Sequence, residues 1–357
     1  MTNMRCTFEA ISEDMPGQQW GELFNRYWPA YRQWFLRDGD RARPSYLMCR
    51  KALRDYMPEL LPTWARLSEL AGGGDLEARF LSMWGPPPYI SGCSQAVWLP
   101  SAETEAGQNW PVLLRNYDFS PALLEGVWLA SRWHGQRVLG VSDCLWGVLD
   151  GINECGLAAS LSFGGRQTVG HGFGIPIVLR YLLEFAENVD DAIRMLSRIP
   201  VHMSYSVTLL DRHGHWATVY VAPDRPAESV RKQAVSNLQH AVEWPAHANA
   251  THAEQRADAL MLAVRQAADY GDVLRALLRP PLFQTSYGRG YGTLYTTIYH
   301  PHDASVEMVW PDLVWGQSCA RFTPGIRVME FDIDHTAPPY TVTSARRWIL
   351  NDPGSFQ

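Results

Sequence analysis

Residues 90–100 read ISGCSQAVWLP, and residues 112–119 read VLLRNYDF. Gly92 stands directly before Cys93, and a short β-rich run follows. Similar runs recur downstream as EGVWLAS, QRVLGVS and GLAASLSF, each bounded by turn residues. Working outward, a glycine-rich loop, FGGRQTVGHGFG, leads into two helical patterns, IPIVLRYLLEFAE and VDDAIRMLSRI. A second strand block follows in SYSVTLLD, HWATVYVA and ESVRKQAVS. Then come a long helical pattern, HAEQRADALMLAVRQAAD, a shorter one near DVLRALLR, and the strands GTLYTTIYH and SVEMVWP. Strands and helices in alternating blocks predict an α+β fold, with two sheets packed together and helices outside. The tail after about residue 335 reads as extended or loosely attached.

Upstream of residue 92 the texture is different. Trp20, Phe24, Tyr27, Trp28, Tyr31 and Phe35 recur at helical spacing, so the first 90 residues are expected to be helical. Pro29 interrupts that stripe, which predicts a kink or two short helices. Pro62 suits the first turn of a helix that Gly72–Gly74 end. The stiff WGPPPYI stretch marks a boundary, giving a helical segment 1–92 that packs on a core of residues 93–357.

The bulk numbers narrow the function classes. The chain has 357 residues, 46% of them hydrophobic and 19% charged, as in a folded globular protein. A net charge of −6 and no basic run argue against a nucleic-acid partner. The apolar stretch CLWGVLDGINECGLAASLSF contains Asp150, Asn153 and Glu154, so it does not read as a membrane span. Six scattered cysteines without a CxxC pair, and a start without a signal-peptide core, predict a reduced, cytoplasmic setting. Seven of the 15 tryptophans precede residue 111, and core packing is the simpler reading of them.

A thiol acts as a nucleophile only with help from a base, and the amine of a chain's first residue is one such base. Its pKa lies at roughly 7.7–8.0. If the Gly92–Cys93 bond broke, the amine of Cys93 could take up its own thiol proton. Asp118 could then hold the ammonium form and Arg115 could bias the thiolate. On one strand, positions i and i+3 face opposite ways, so a bend or bulge must bring both to the site.

Taken together, GCSQAVWLP, LLRNYDF and LDGINECGLAASLSF resemble the N-terminal-nucleophile (Ntn) hydrolases of the acyl-CoA:6-aminopenicillanic acid acyltransferase type, related to the choloylglycine hydrolases and acid ceramidases. The resemblance spans roughly residues 60–310. It implies a four-layer αββα sandwich, made as a precursor and cut between Gly92 and Cys93. It carries the nucleophile to Cys93, the strand arginine and aspartate to Arg115 and Asp118, and the oxyanion-hole asparagine to Asn237 in AVSNLQH. There Ser236 and Leu238 depart from the family pattern. Arg256 matches a later family arginine, and Ser162 stands where the bile-acid amidases have an asparagine.

What this implies is a self-processing cysteine amidohydrolase or acyltransferase for a small N-acyl or acyl-thioester compound. No cofactor or metal is implied; acyl-CoA stays open as co-substrate. The partners are the two pieces of the same precursor, and a homo-oligomer stays open. Two other readings stand beside this one. A non-cleaving fold relative could serve as a binding module, and a papain-like enzyme would need a Cys–His pair with no local signature here.

Among the bland features, Cys144 and Cys155 read as buried spectators. Asn153 and Glu154 read as turn residues held by local hydrogen bonds, and DRHGHW, with His213 and His215, as a hairpin turn. GGRQTVGHGFG is read as a substrate-lining loop.

Overall fold

A computed structural model describes residues 3–100 and 110–332. The chain opens with strand β1 (Asn3–Glu13), then helices α1 (Gln18–Phe35), α2 (Tyr46–Tyr56), α3 (Leu61–Leu70) and α4 (Asp75–Leu81). Strands β2 (Gly92–Trp98), β3 (Val112–Phe119), β4 (Val127–Ser131), β5 (Val138–Asp143), β6 (Gly147–Asn153) and β7 (Ala158–Phe163) follow. Helices α5 (Ile175–Phe185) and α6 (Val189–Arg198) precede β8 (Tyr205–Leu210), β9 (Trp216–Ala222), β10 (Arg225–Val230) and β11 (Ala234–Val235). After α7 (Pro245–Thr251), α8 (Ala253–Gln266) and α9 (Tyr270–Leu277) come β12 (Gly292–His300), β13 (Ser305–Trp310), β14 (Leu313–Ser318) and β15 (Gly325–Asp332). The sequence-expected tail beyond residue 335 lies outside the described residues.

The described strands form two sheets, ordered β10-β9-β8-β7-β6-β5-β4-β1-β15 and β11-β2-β3-β12-β13-β14. Strand alternation sorts their side chains into three apolar layers. Cys93, Val97, Leu113 and Tyr117 of one sheet meet Trp128, Ala130, Leu149 and Ile152 of the other. On the far face of the smaller sheet, Ala96, Trp98, Val112 and Leu114 pack on Leu260, Val264, Val273 and Leu277 of α8 and α9. On the far face of the larger sheet, Val127, Leu129 and Leu161 pack on α5 and on the N-terminal helices through Trp20, Phe24 and Trp64. The result is a four-layer αββα sandwich.

Two sequence expectations change at the N-terminus. Residues 3–13 are not helical: β1 lies between β4, to which it is parallel, and β15, to which it is antiparallel. Cys6, Phe8 and Ala10 are buried on one face, a period of two rather than 3.6. Pro29 does not split the aromatic stripe, because α1 runs as one helix from residue 18 to 35. Its face carries Trp20, Leu23, Phe24 and Phe35 into the core, and that packing outweighs the missing backbone bond. Pro62 does sit at the start of α3, and Gly72 and Gly73 beyond its end take positive φ angles of 98° and 73°. Strands β6, β14 and β15 add to those expected.

Phe8 packs edge-on against Trp310 and Tyr295 of the opposite sheet. Phe8→Ala is therefore expected to destabilise the fold by about 3–5 kcal/mol, read as a lower urea midpoint. An unchanged midpoint would show that β1 is dispensable.

Candidate active site

Cys93 is the second residue of β2, and the register of β2 against β3 sets its neighbours. Gly92 pairs with Asp118, Cys93 with Tyr117 and Gln95 with Arg115. The Cys93 side chain points between the sheets, as does Arg115, whose Nη2 lies 3.1 Å from the Cys93 sulfur. Arg115 Nη1 bonds a carboxylate of the other sheet, Asp150, and donates to the Tyr295 hydroxyl at 3.1 Å. Asp150 also accepts from the hydroxyls of Tyr295, Tyr299 and Thr297. All of these side chains are buried.

Asp150 reaches this position through a bulge. The β5–β6 register shifts between Val141 and Ser142, leaving Leu149 as the extra residue. Leu149, Asp150 and Ile152 are thereby all brought to the inner side. Sequence reasoning took Asp150 as a charge breaking an apolar run and as the aspartate of the LDGINECGL motif, with no role at the cysteine. The D-G-x-N segment is strand β6, and the turn begins at Glu154. Asn153 does hold that turn, accepting from Leu157 N at 2.9 Å, and also ties it to the end of α5 through the Leu183 and Ala186 carbonyls.

On the opposite face of the smaller sheet a second guanidinium governs the backbone of the same cysteine. Arg256 of α8 donates from Nη1 to the Cys93 carbonyl (3.0 Å), the Ser94 hydroxyl (2.9 Å) and Asp118 (3.0 Å). Its Nη2 donates to Asn237 Oδ1 at 2.6 Å and its Nε to the Thr251 carbonyl at 2.8 Å. Asn237 follows edge strand β11, which pairs with Ala96 and Gln95 of β2. This pairing brings AVSNLQH alongside the cysteine. Asn237 Oδ1 accepts from Cys93 N at 3.2 Å, and Nδ2 donates to the Ser91 and Phe163 carbonyls, both at 3.3 Å.

The structure therefore brings Cys93, Arg115, Asn237 and Arg256 together, with Asp118 joined through Arg256. It does not pair Arg115 with Asp118, nor bend them to one face. The β12 register does shift opposite Tyr117 and Asp118, yet Arg115 stays inward on Asp150 and Asp118 stays outward on Arg256. Each ion pair is fully buried. Thr293 adds a 2.7 Å hydrogen bond to Asp118.

A Cβ at Gly92 would lie 2.0 Å from the Tyr291 hydroxyl, so a larger residue there requires that ring to move. Ser162 donates its hydroxyl to the carbonyl of Ser236, beside Asn237, at 3.3 Å. The glycine-rich loop touches the same segment: Gly165, at φ +71°, leaves its Cβ space to the Asn237 carbonyl. His213 and His215 form the β8–β9 turn, both N–H groups donating to Asp211.

Burial pushes the Cys93 thiol pKa up, Arg115 pulls it down by charge and hydrogen bond, and the Asp118 charge adds to the rise. Burial also raises Asp118, against the pull of Arg256 and the Thr293 hydrogen bond. Without the Arg115 cation the thiol loses the positive charge that favours its ionised form, so thiolate should form only at higher pH. Arg115→Met alone would leave Asp150 buried without its cation, a loss of about 3–5 kcal/mol. The double variant Arg115→Met/Asp150→Asn avoids this. Its thiolate absorbance, measured against a Cys93→Ser background, is expected to titrate above that of the wild type. Coincident titrations would show that Arg115 does not act on the sulfur.

Three solved structures are similar to this chain at low identity. Penicillin V acylase from Agrobacterium tumefaciens is 14% identical, with 74% of this chain and 99% of that one covered at a TM-score of 0.45. An N-acylethanolamine-hydrolyzing acid amidase ortholog from Caenorhabditis elegans is 15% identical, covering 64% and 97% at 0.43. A mutant conjugated bile acid hydrolase from Clostridium perfringens is 10% identical, covering 69% and 100% at 0.42. No curated protein sequence matches the chain. The model of one family, described as acyl-coenzyme A:6-aminopenicillanic acid acyl-transferase, matches residues 104–313. That match takes in Arg115, Asp118, Asn237 and Arg256 and covers more than half of the sequence, so the chain belongs to the acyl-coenzyme A:6-aminopenicillanic acid acyl-transferase family.

Proposed function

We propose that the chain is a precursor that cuts its own Gly92–Cys93 bond. It then works as an N-terminal-cysteine acyltransferase or amidohydrolase on a small N-acyl amide or acyl thioester. One observation carries this reading. The Cys93 sulfur lies 3.1 Å from a guanidinium nitrogen of Arg115 while the Cys93 N–H is bonded to Asn237 at 3.2 Å. Both atoms that an N-terminal nucleophile uses are thus already engaged in the uncut chain.

In the cut, the sulfur attacks the Gly92 carbonyl carbon, the C–N bond to Cys93 breaks, and the nitrogen takes a proton. Water then hydrolyses the Gly92 thioester, leaving a carboxylate on Gly92 and restoring the thiol. A side chain at residue 92 would have to displace the Tyr291 ring, so glycine leaves the scissile bond unobstructed as the ring stands. A cut that moved the Ser91 carbonyl away from Asn237 Nδ2 would free a donor on the amide that already holds the Cys93 N–H.

In turnover the free amine, with a pKa of roughly 7.7–8.0, takes the thiol proton as the sulfur attacks the substrate carbonyl. Asn237 Nδ2 receives the oxyanion. The amine returns its proton to the leaving group, and water or an acceptor amine then releases the acyl group. Arg115 favours the thiolate. Arg256 holds the Cys93 carbonyl, Asp118 and Asn237 in register, and Asp118 lies opposite the new terminus to take up the ammonium form. Acyl-CoA is one acyl donor of the right chemistry, and no cofactor is needed for these steps. The described residues contain no helix long and apolar enough to cross a membrane.

Intact-mass analysis is expected to find two pieces, the second beginning Cys-Ser-Gln-Ala, and Cys93→Ala should remain one chain without turnover of acyl amides or thioesters. Turnover by the alanine variant equal to wild type would end the assignment. A single uncut, inactive wild-type chain would favour a binding module. Asn237→Ala is expected to lower kcat by roughly 10²–10³-fold, measured on the cut enzyme; an unchanged kcat would remove it from the oxyanion role.

A further inference from the structure

At the end of the sandwich away from Cys93, the hairpin connections of both sheets surround a cavity of about 710 Å³. Strand β12 gives the separation. It starts opposite Asp118 and Phe119, beside the cysteine, and its nine residues run to the turn that borders this cavity. At the rise of a β-strand that is roughly 30 Å.

The cavity is lined by Arg132, Arg137, Arg212 and Arg321 but by only two carboxylates, Glu154 and Asp303. This local excess of positive charge sits in a chain of net charge −6. Both carboxylates already have partners: Glu154 takes both terminal nitrogens of Arg132, and Asp303 accepts from the Ser305 hydroxyl at 2.7 Å. Arg137 has Asp14 at 3.2 Å. Among the described residues, Arg212 and Arg321 have no carboxylate within ion-pair distance.

Arg212 is nevertheless held in place. It donates to the neutral Glu154 carbonyl at 2.8 Å. Gly156, at φ +84°, lets it lie across the β6–β7 turn, where a Cβ would meet the Arg212 side chain at 3.0 Å and the Pro301 carbonyl at 2.3 Å. Phe322 supplies an aromatic wall and Cys319 a half-buried thiol.

We infer that this cavity binds a phosphate-bearing small molecule, at a site separate from the Cys93 centre. Guanidinium groups approaching from several loops suit a tetrahedral or bridged anion with many acceptor oxygens. A lone carboxylate offers two oxygens and fills about one such fork. The volume lies within the range of small-molecule sites, roughly 300–1,000 Å³. The site does not depend on the reading of Cys93, so Cys93→Ala protein is a suitable sample.

Calorimetric titration with inorganic pyrophosphate is expected to show saturable binding, weakened by added salt and reduced roughly tenfold or more in Arg212→Gln and in Arg321→Gln. Both side chains are exposed, so the urea midpoint of each variant should match the parent. Titration with ADP separates the sources: tighter binding than pyrophosphate assigns the ligand to nucleotides, with the base against Phe322, and equal binding assigns it to inorganic polyphosphate. Absence of saturable heat, binding indifferent to both substitutions, or malonate binding as tightly as pyrophosphate would each overturn the inference.

Discussion

The buried guanidinium of Arg256 is the constraint on which the rest of the centre depends. It joins four stretches of chain that are distant in sequence: the carbonyl of Cys93 with the hydroxyl of Ser94, the carboxylate of Asp118, the amide of Asn237 and the end of α7 at Thr251. A buried charge is tolerable only when its hydrogen-bonding capacity is filled by correctly placed partners. The sandwich must therefore close with β2, β3, the segment after β11 and α8 in one relative position. Arg115 adds a second constraint from the other side of the sheet, through Asp150 and the hydroxyls of Tyr295 and Tyr299. Cys93 is thus fixed twice, by its backbone from the helix layer and by its sulfur from the space between the sheets.

Much of this was legible in the sequence, because strands with alternating burial and helices with apolar stripes declare themselves locally. Arg115, Asp118 and Asn237 stood out through motifs, and all three lie at or beside the cysteine. Arg256 also stood out, but nothing in a helical HAEQRADAL reveals which face points at a sheet, so its central position came only with the fold. Asp150 was hidden more deeply. Its direction depends on one extra residue, Leu149, at a bulge that spacing does not announce. The sequence reading asked for a bend or bulge to bring Arg115 and Asp118 to one face; strand alternation instead keeps them apart, each on its own partner. Strand β1 carried a usable signal in the apolar positions Cys6, Phe8 and Ala10, overshadowed by the aromatic helix that follows.

The tryptophans illustrate how the interior handles polar edges. Trp20, Trp64, Trp133, Trp146 and Trp310 bury their rings while each indole N–H donates to a main-chain carbonyl. Several of these bonds cross layers: Trp20 reaches the carbonyl of Leu145, and Trp146 that of Leu81. Large apolar area and one directed donor per ring make Trp20 and Trp146 staples between the N-terminal helices and the larger sheet. Of the seven tryptophans before residue 111, Trp20, Trp64 and Trp98 are buried in the core, Trp28, Trp34 and Trp84 pack against it, and Trp110 is exposed.

The position of β1, second from one edge of the larger sheet, has a consequence for the life history of the molecule. A nick after residue 92 would not shed the leading piece, because its first strand is hydrogen-bonded on both sides and its helices share the main core. Connected, the two parts find each other at the high local concentration that a tether provides; once severed and pulled apart, they would have to meet as separate solutes. A nicked molecule would then be durable through slow separation rather than through ready reassembly. Denaturation followed by dilution would be a one-way passage for it, while the unbroken chain could still return.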